Sequence, residues 1–301
     1  MSKTISCRQI QTGFCLAAER LKLHKDTLNQ MNLFPVADRD TGINMARTME
    51  DTAAHMSEGS TPFQTAEDAY MQMLDYSCGN SGTILTLFFE GFTYGLPEDA
   101  EYLTGKHLAD AFVRGADNAM ACVTNPKPGT ILTVALQSAQ AGLSLAEMTD
   151  DAGQVMYRIT QEAHEALMQT AHQNPVLKDH NVVDSGAYGF CLILDGFLES
   201  FAPEAEAIAY GKLALPDASA VPEEELLHRF CTEFVLEPAS GADLDTMESM
   251  LRPMGSCFLC AGSTALCKVH IHTDSPEDIF KTAKQFGTIV RQKVDDMSNP
   301  R

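Results

Sequence analysis

Asn32-Leu33-Phe34-Pro35-Val36-Ala37-Asp38-Arg39-Asp40-Thr41-Gly42-Ile43-Asn44-Met45 is the stretch on which the reading of this chain turns. Two carboxylates, Asp38 and Asp40, stand one residue apart, after a proline-bearing loop and before a stretch with helical spacing. Mg²⁺ prefers oxygen ligands in near-octahedral geometry, takes one or two carboxylates, and completes its shell with water and phosphate oxygens. At a helix N-terminus such a pair could hold the ion while the N–H groups of the first turn face a phosphate. Asp, Thr, Gly and Asn are equally ordinary turn and N-cap residues, so this loop alone leaves both readings open.

Three further segments have the same character. Cys78-Gly79-Asn80-Ser81-Gly82-Thr83 opens the apolar run Ile84 to Phe89. Pro128-Gly129-Thr130 precedes Ile131 to Leu136, and Val182-Val183-Asp184-Ser185-Gly186-Ala187-Tyr188-Gly189 opens another helix. Glycine lets a backbone approach an anion closely, and hydroxyls add donors. Each segment alone reads as a plain cap. Four small-residue helix starts, one with paired aspartates, favour a nucleotide site in a helical domain.

Composition narrows the partners. A chain of 301 residues is long enough for two domains, each with its own core. With 45% hydrophobic and 21% charged residues it has an ordinary globular balance. The net charge of −20 argues against nucleic acid or an anionic membrane surface, which need clustered Lys and Arg. It does not argue against ATP, which is held by metal and by local backbone dipoles. Met1 to Gln30 lacks a secretory pattern, and the most apolar later stretch, Phe190 to Phe197, is far too short to span a bilayer. Nine irregularly spaced cysteines suit reduced thiols, hence a cytoplasmic setting.

The periodicity predicts a multi-domain chain: an all-α domain over 1–203, a linker over 204–222 and a smaller α+β domain over 223–301. Ile10, Phe14, Ala17, Leu21 and Leu28 mark one helical face, and helical spacing recurs around 64–77, 82–94, 106–123, 129–143, 150–171 and 186–200. After the connector, the pattern predicts a strand over 227–236, a helix over 244–251 and strands over 256–261 and 266–273. A helix over 276–286 and a strand over 288–294 complete it. That β-α-β-β-α-β order is ferredoxin-like.

In that topology the first and third strands are antiparallel neighbours, which brings Cys231 toward His270 and His272. Residues two apart on a strand share a face. One thiolate and two imidazoles suit Zn²⁺, with a position left for water, Glu233, Asp274 or a substrate group. A buried cysteine with two strand-end histidines is the plainer alternative. Cys257 and Cys260, three apart on a strand, would face opposite ways and read as core or hairpin residues. His164, His172 and His180 read as surface or cap residues.

The series NLFPVADRDTGINM, GNSGTIL, PGTILTVA and VVDSGAYGF resembles the DhaL-type kinase domain, in the form found in bacterial fatty-acid kinase A proteins. Phe230-Cys231-Thr232-Glu233-Phe234 and Lys268-Val269-His270-Ile271-His272-Thr273 resemble that family's middle domain. The resemblance covers nearly the whole chain and implies a DhaL-like helical barrel. It implies Mg²⁺ on Asp38 and Asp40, with Asn32 a weaker candidate. It also implies ATP contacts at Thr41, Gly42, Asn44, Ser81, Gly82, Thr130, Asp184, Ser185 and Gly186. Together with the strand topology it favours zinc on Cys231, His270 and His272. The chain departs from the family pattern in two places: the loop has Ala37 and Arg39 where proline and glycine are usual around the first acid, and Ala187-Tyr188 replaces glycine and lysine. Family members usually continue into a further domain that this sequence does not contain.

The activity so implied is ATP-dependent phosphorylation of a carboxylate, with Asp38 and Asp40 catalytic, on a fatty acid presented by a DegV-like carrier protein. A homodimer is compatible with it. A carboxylate is already ionised near neutral pH, so phosphoryl transfer is mainly positioning and charge neutralisation. The alternatives are a protein like the dihydroxyacetone or polyol kinases, and a non-catalytic nucleotide-binding scaffold. A hydroxyl acceptor needs a base that the sequence does not obviously place, and the zinc-like second domain points to the fatty-acid branch.

Overall fold

The computed structural model of the chain describes residues 3–34, 39–123, 126–211, 213–216 and 227–298. Helix α1 (Cys7–Met31) starts where Ser6 and Gln9 cap each other reciprocally, and its face Ile10, Phe14, Ala17, Leu21 and Leu28 is buried as its spacing predicts. Then come α2 (Thr41–His55), α3 (Pro62–Tyr76), α4 (Gly79–Tyr94), α5 (Gly105–Cys122), α6 (Ile131–Ala146) and α7 (Ala152–Gln173). The short α8 (Pro175–His180) leads into α9 (Ser185–Phe201). Thr61, Thr104, Asp151 and Asn174 each cap the helix that follows them through a side-chain oxygen.

Successive long helices pack side by side from α1 to α7, α7 then meets α9, and α9 returns to α1, so the ring closes. Short connections make ring neighbours antiparallel. The α1–α2, α3–α4 and α5–α6 loops and the turn before α9 therefore gather at one end. The interior is filled rather than hollow. Phe14 meets Phe89 at 5.0 Å and Phe197 at 5.1 Å, and Phe88 meets Phe190 at 5.1 Å between ring centroids. These offset and edge-on contacts are the favourable arrangements for aromatic pairs.

The second part carries β1 (Phe230–Pro238), α10 (Leu244–Leu251), β2 (Ser256–Gly262), β3 (Cys267–Thr273), α11 (Pro276–Ala283) and β4 (Gly287–Asp296). Its antiparallel sheet has the order β2-β3-β1-β4, the ferredoxin-like arrangement. The chain is thus an all-α barrel followed by a smaller α+β unit. β1 begins three residues later than the pattern predicts, α11 ends three earlier, and β4 runs two further. Leu227 stays outside the sheet because it is 84% exposed and has no core to join. Residues 212 and 217–222 of the predicted linker, and 223–226 of the predicted second domain, lie outside the described residues.

Alternation along the strands divides the sheet into two unlike faces. Phe234, Leu236, Phe258, Cys267, Val269 and Ile271 join a core with α10 and α11 residues such as Met247, Leu251 and Ile279. The opposite face meets α4, where Leu259 and Ala261 join the barrel's own core. Four polar contacts fasten that face. The Gly79 N–H donates to Glu233 Oε1 at 2.7 Å, and the Lys268 ammonium donates to the Ser77 carbonyl. The Gly262 N–H donates to Glu90 Oε1 at 3.2 Å, and Arg291 Nη1 donates to the Asp75 carbonyl at 2.8 Å.

Two expectations about single residues change. Cys257 sits at φ +52°, and the β2–β3 register shifts between Ser256 and Leu259, so the CxxC pair is not on a regular strand. Cys260 packs against the core and faces Cys267 across the hairpin, with Sγ atoms 3.8 Å apart, in keeping with its reading as a core or hairpin residue. His164 is buried rather than a surface or cap residue. Its Nε2 lies 2.9 Å from Asp195 Oδ1, and its ring stacks on Tyr210 at 4.1 Å. Among the described residues no helix is long and apolar enough to cross a membrane.

Candidate nucleotide and metal site

The loop end of the barrel is where the candidate residues meet. Asp38 lies outside the described residues. Asp40 stands at the N-cap of α2 but makes no capping hydrogen bond through its side chain. That task falls to α1. Asn32 Oδ1 accepts the N–H groups of Asp40 and Thr41 at 3.2 and 3.0 Å and the Thr41 hydroxyl at 2.8 Å. Asn29 Oδ1 accepts the N–H groups of Gly42 and Ile43 at 2.8 and 3.2 Å. This corrects the expectation that the first turn of α2 offers its N–H groups to a phosphate. It also means that the Asn32 oxygen a Mg²⁺ ion would need is already engaged in capping. Asp40, relieved of capping, keeps its carboxylate for another partner.

The other helix starts differ. Gly79 has φ +63°, and a Cβ there would lie 2.3 Å from Asn44 Nδ2, so only glycine fits this turn and the α2 and α4 starts touch. The next N–H groups, those of Asn80 and Ser81, have no hydrogen-bond partner among the described residues. Gly82 is packed against Thr48 and Ser77. At α6, Thr130 turns its hydroxyl to the Lys127 carbonyl at 2.9 Å, and its side chain does not cap the helix. Asp184 does that work from a distance. Its Oδ1 accepts the Ile131 N–H at 3.1 Å and the Ala187 N–H at 2.8 Å, so one carboxylate caps both α6 and α9.

Ser185 donates to the Leu28 carbonyl at 2.7 Å, which ties α9 to α1. The N–H groups of Leu132, Ser185 and Gly186 also have no partner among the described residues. Three helix starts thus present unpaired donors at one end, each with the positive end of its dipole outward. Burial pushes the Asp184 carboxyl up to about 6, and its two N–H donors only partly offset this. Arg39 occupies the left-handed region at φ 57°, a conformation that favours glycine.

The sheet's polar face adjoins this end. In the β1–β3 register Cys231 lies opposite His272, and Glu233 lies opposite His270. Alternation puts Cys231, Glu233, Lys268, His270 and His272 together on the face toward the barrel. The ligand atoms of Cys231, His270 and His272 fall within 4.8 Å of one another, a compact trio fit for one metal ion. The His270 and His272 ring centroids are 5.0 Å apart, and Cys231 Sγ is 3.7 Å from His270 Nδ1. His270 Nε2 is buried without a hydrogen-bond partner, an atom that a metal would satisfy. Burial, then the neighbouring His270, lowers the His272 pKa to about 3, which keeps that ring neutral as a ligand must be. Burial and Glu233 raise the Cys231 thiol well above its usual value, a preference that a bound cation reverses.

Two carboxylates that could fill the open position are already engaged. Asp274 holds His228 Nδ1 at 3.0 Å and the Arg229 N–H at 2.9 Å. Glu233 holds His270 Nδ1 at 3.0 Å as well as Gly79. Burial pushes the Glu233 carboxyl up, but the Lys268 ammonium and the His270 hydrogen bond outweigh it and bring it down to about 2. The Asp40 charge in turn reaches Cys231, so the loop end of the barrel and the Cys/His trio share one neighbourhood.

Residues 35–199 match the DAK2 domain. The chain belongs to the DAK2-domain family. Residues 228–300 match the middle domain of the FakA-like (fatty acid kinase A-like) proteins, so a DAK2 domain is followed here by that second unit. Among curated relatives, an uncharacterized protein of Staphylococcus saprophyticus is 33% identical over 93% of this chain and 53% of its own length. Uncharacterized proteins of Staphylococcus aureus and Staphylococcus haemolyticus are each 30% identical with the same coverage. This DAK2-family chain therefore spans about half the length of the curated relatives it matches.

Proposed function

We propose that this chain is the nucleotide-binding and middle portion of an ATP-dependent phosphotransferase that acts on a fatty-acid carboxylate presented by a DegV-like carrier protein. The observation that carries the reading is the pairing of a DAK2 domain with a fatty acid kinase A-like middle domain, the second placed against the first's loop end. The unpaired N–H groups of Asn80, Ser81, Leu132, Ser185 and Gly186 suit phosphate oxygens. Asp40, with Asp38, would hold Mg²⁺, which would neutralise phosphate charge. Thr41, Gly42, Asn44, Gly82 and Thr130 would shape the walls of the nucleotide site.

In the transfer itself a carboxylate oxygen bonds to the γ-phosphorus as the bond from that phosphorus to the β-bridging oxygen breaks. The products are an acyl phosphate and ADP, and no proton needs to be removed from the nucleophile. The backbone donors would stabilise charge on the transferred group. Cys231, His270 and His272 would hold Zn²⁺. Nine cysteines without regular spacing support a reducing, cytoplasmic setting.

Calorimetry of ATP binding, with and without Mg²⁺, on the wild type and Asp40→Asn tests the reading. Mg²⁺-dependent binding that the variant loses is the expected result. Absence of binding by the wild type in any condition would move the assignment to a non-catalytic scaffold, the reading that the left-handed Arg39 favours.

A further inference from the structure

Glu233 is 4% exposed and uses one oxygen for two partners. Its Oε1 accepts the Gly79 N–H at 2.7 Å and lies 3.0 Å from His270 Nδ1. An ionised carboxylate only accepts, so Glu233 favours a proton on Nδ1, the nitrogen that also lies 3.7 Å from Cys231 Sγ. His270 Nε2 is the buried nitrogen that lacks a partner. Carboxylates placed in this way orient metal-binding histidines and raise their basicity.

The same oxygen holds the first N–H of α4, and the next two donors, on Asn80 and Ser81, are those left unpaired. Lys268, from the same sheet face, grips Ser77 just upstream. The turn from Ser77 to Ser81 is thus held by the sheet as well as by the barrel.

We propose that Glu233 is a positioning residue that links metal occupancy of the Cys231, His270 and His272 trio to the geometry of the Gly79 turn. A cation held by the His270 ring changes the ring's pull on Glu233 Oε1, and with it the carboxylate's hold on the Gly79 N–H. The metal trio and the phosphate-facing turn then influence each other reciprocally, as linkage requires. The proposal rests on the reading above for the trio and for the α4 start.

The test uses the full chain, with zinc chloride alone as the first probe. Zinc affinity is measured by calorimetry, and hydrogen exchange is followed over residues 78–83 with and without zinc, for the wild type, Glu233→Gln and Cys231→Ser. Zinc is expected to change exchange over 78–83 by roughly tenfold in the wild type and not in Cys231→Ser. In Glu233→Gln, zinc should bind roughly 10–100-fold more weakly. At saturating zinc, exchange in that variant should no longer respond.

The wild-type measurement stands even if Glu233→Gln fails to fold. Unchanged exchange on zinc binding, no zinc binding at all, or an equal response in a folded Glu233→Gln would each overturn the proposal. None of these readouts requires nucleotide, so a failure of ATP binding remains distinguishable from a failure of this link.

Discussion

Asp184 Oδ1 holds the N–H of Ile131 across 53 positions of chain while capping its own helix through Ala187. Two helix starts therefore share a single buried carboxylate. Its pKa of about 6 lies above the 3.8 of an exposed Asp, so the folded state favours the protonated form. The stability this group contributes is fully present below pH 4 and is lost as pH rises through 6. Urea unfolding of Asp184→Asn should reveal this, because the amide oxygen can still accept both N–H groups without carrying charge. Its stability relative to wild type should rise by on the order of 3 kcal/mol between pH 4 and pH 7. A difference that is flat across this range would contradict the buried-charge account.

Gly79→Ala should be among the most damaging single-methyl changes in the barrel. The new Cβ would lie 2.3 Å from Asn44 Nδ2 and would force alanine into the left-handed region at φ +63°. The left-handed conformation alone costs about 1–2 kcal/mol, before the clash displaces Asn44. Thermal unfolding should register that loss, and ATP affinity should fall with it. Gly241→Ala is the control, since that glycine also has positive φ, at +79°, but nothing lies within 4 Å of its added carbon.

Arg39→Gly should act in the opposite sense. Arg39 is exposed at φ 57°, so glycine removes backbone strain without opening a cavity. A stability gain of up to about 1 kcal/mol is expected by urea denaturation, reduced by glycine's greater freedom in the unfolded chain. A loss of stability would show that the guanidinium makes a contact worth more than the strain.

Tyr210→Phe tests the polar knot around α9. The Tyr210 hydroxyl donates to Asp195 Oδ2, and His164 Nε2 lies 2.9 Å from Oδ1 of the same carboxylate. Burial, and then the Asp195 charge, push the Tyr210 hydroxyl far above its usual pKa, so it remains a donor at any working pH. Deleting it should cost about 1–3 kcal/mol by leaving Asp195 short of a donor in a poorly solvated place. Denaturation midpoints at constant m-value would report it.

The strand order was legible because the second unit alternates cleanly. Lys268, His270 and His272 fall on one face, with Cys267, Val269 and Ile271 on the other, and this period of two is enough to bring the trio together. The helix starts were legible from their glycines and hydroxyls. What the sequence concealed was who satisfies whom. Asn29 and Asn32 cap α2 from a different helix, and no local pattern distinguishes such a cap from a metal ligand.

His164 illustrates the same limit. Its neighbours Gln161, Glu162 and Glu165 are polar, and its partners Asp195 and Tyr210 arrive from later in the chain. Glu233 stood among several groups able to complete a metal site. Only the fold reveals its bond to a glycine 154 residues away.

The four contacts between sheet and barrel have a mechanical consequence. Separating the two units along this face would take the Gly79 N–H from Glu233 and the Ser77 carbonyl from Lys268. Opening as two jaws around ligand would have to break all four of these contacts on the α4 side.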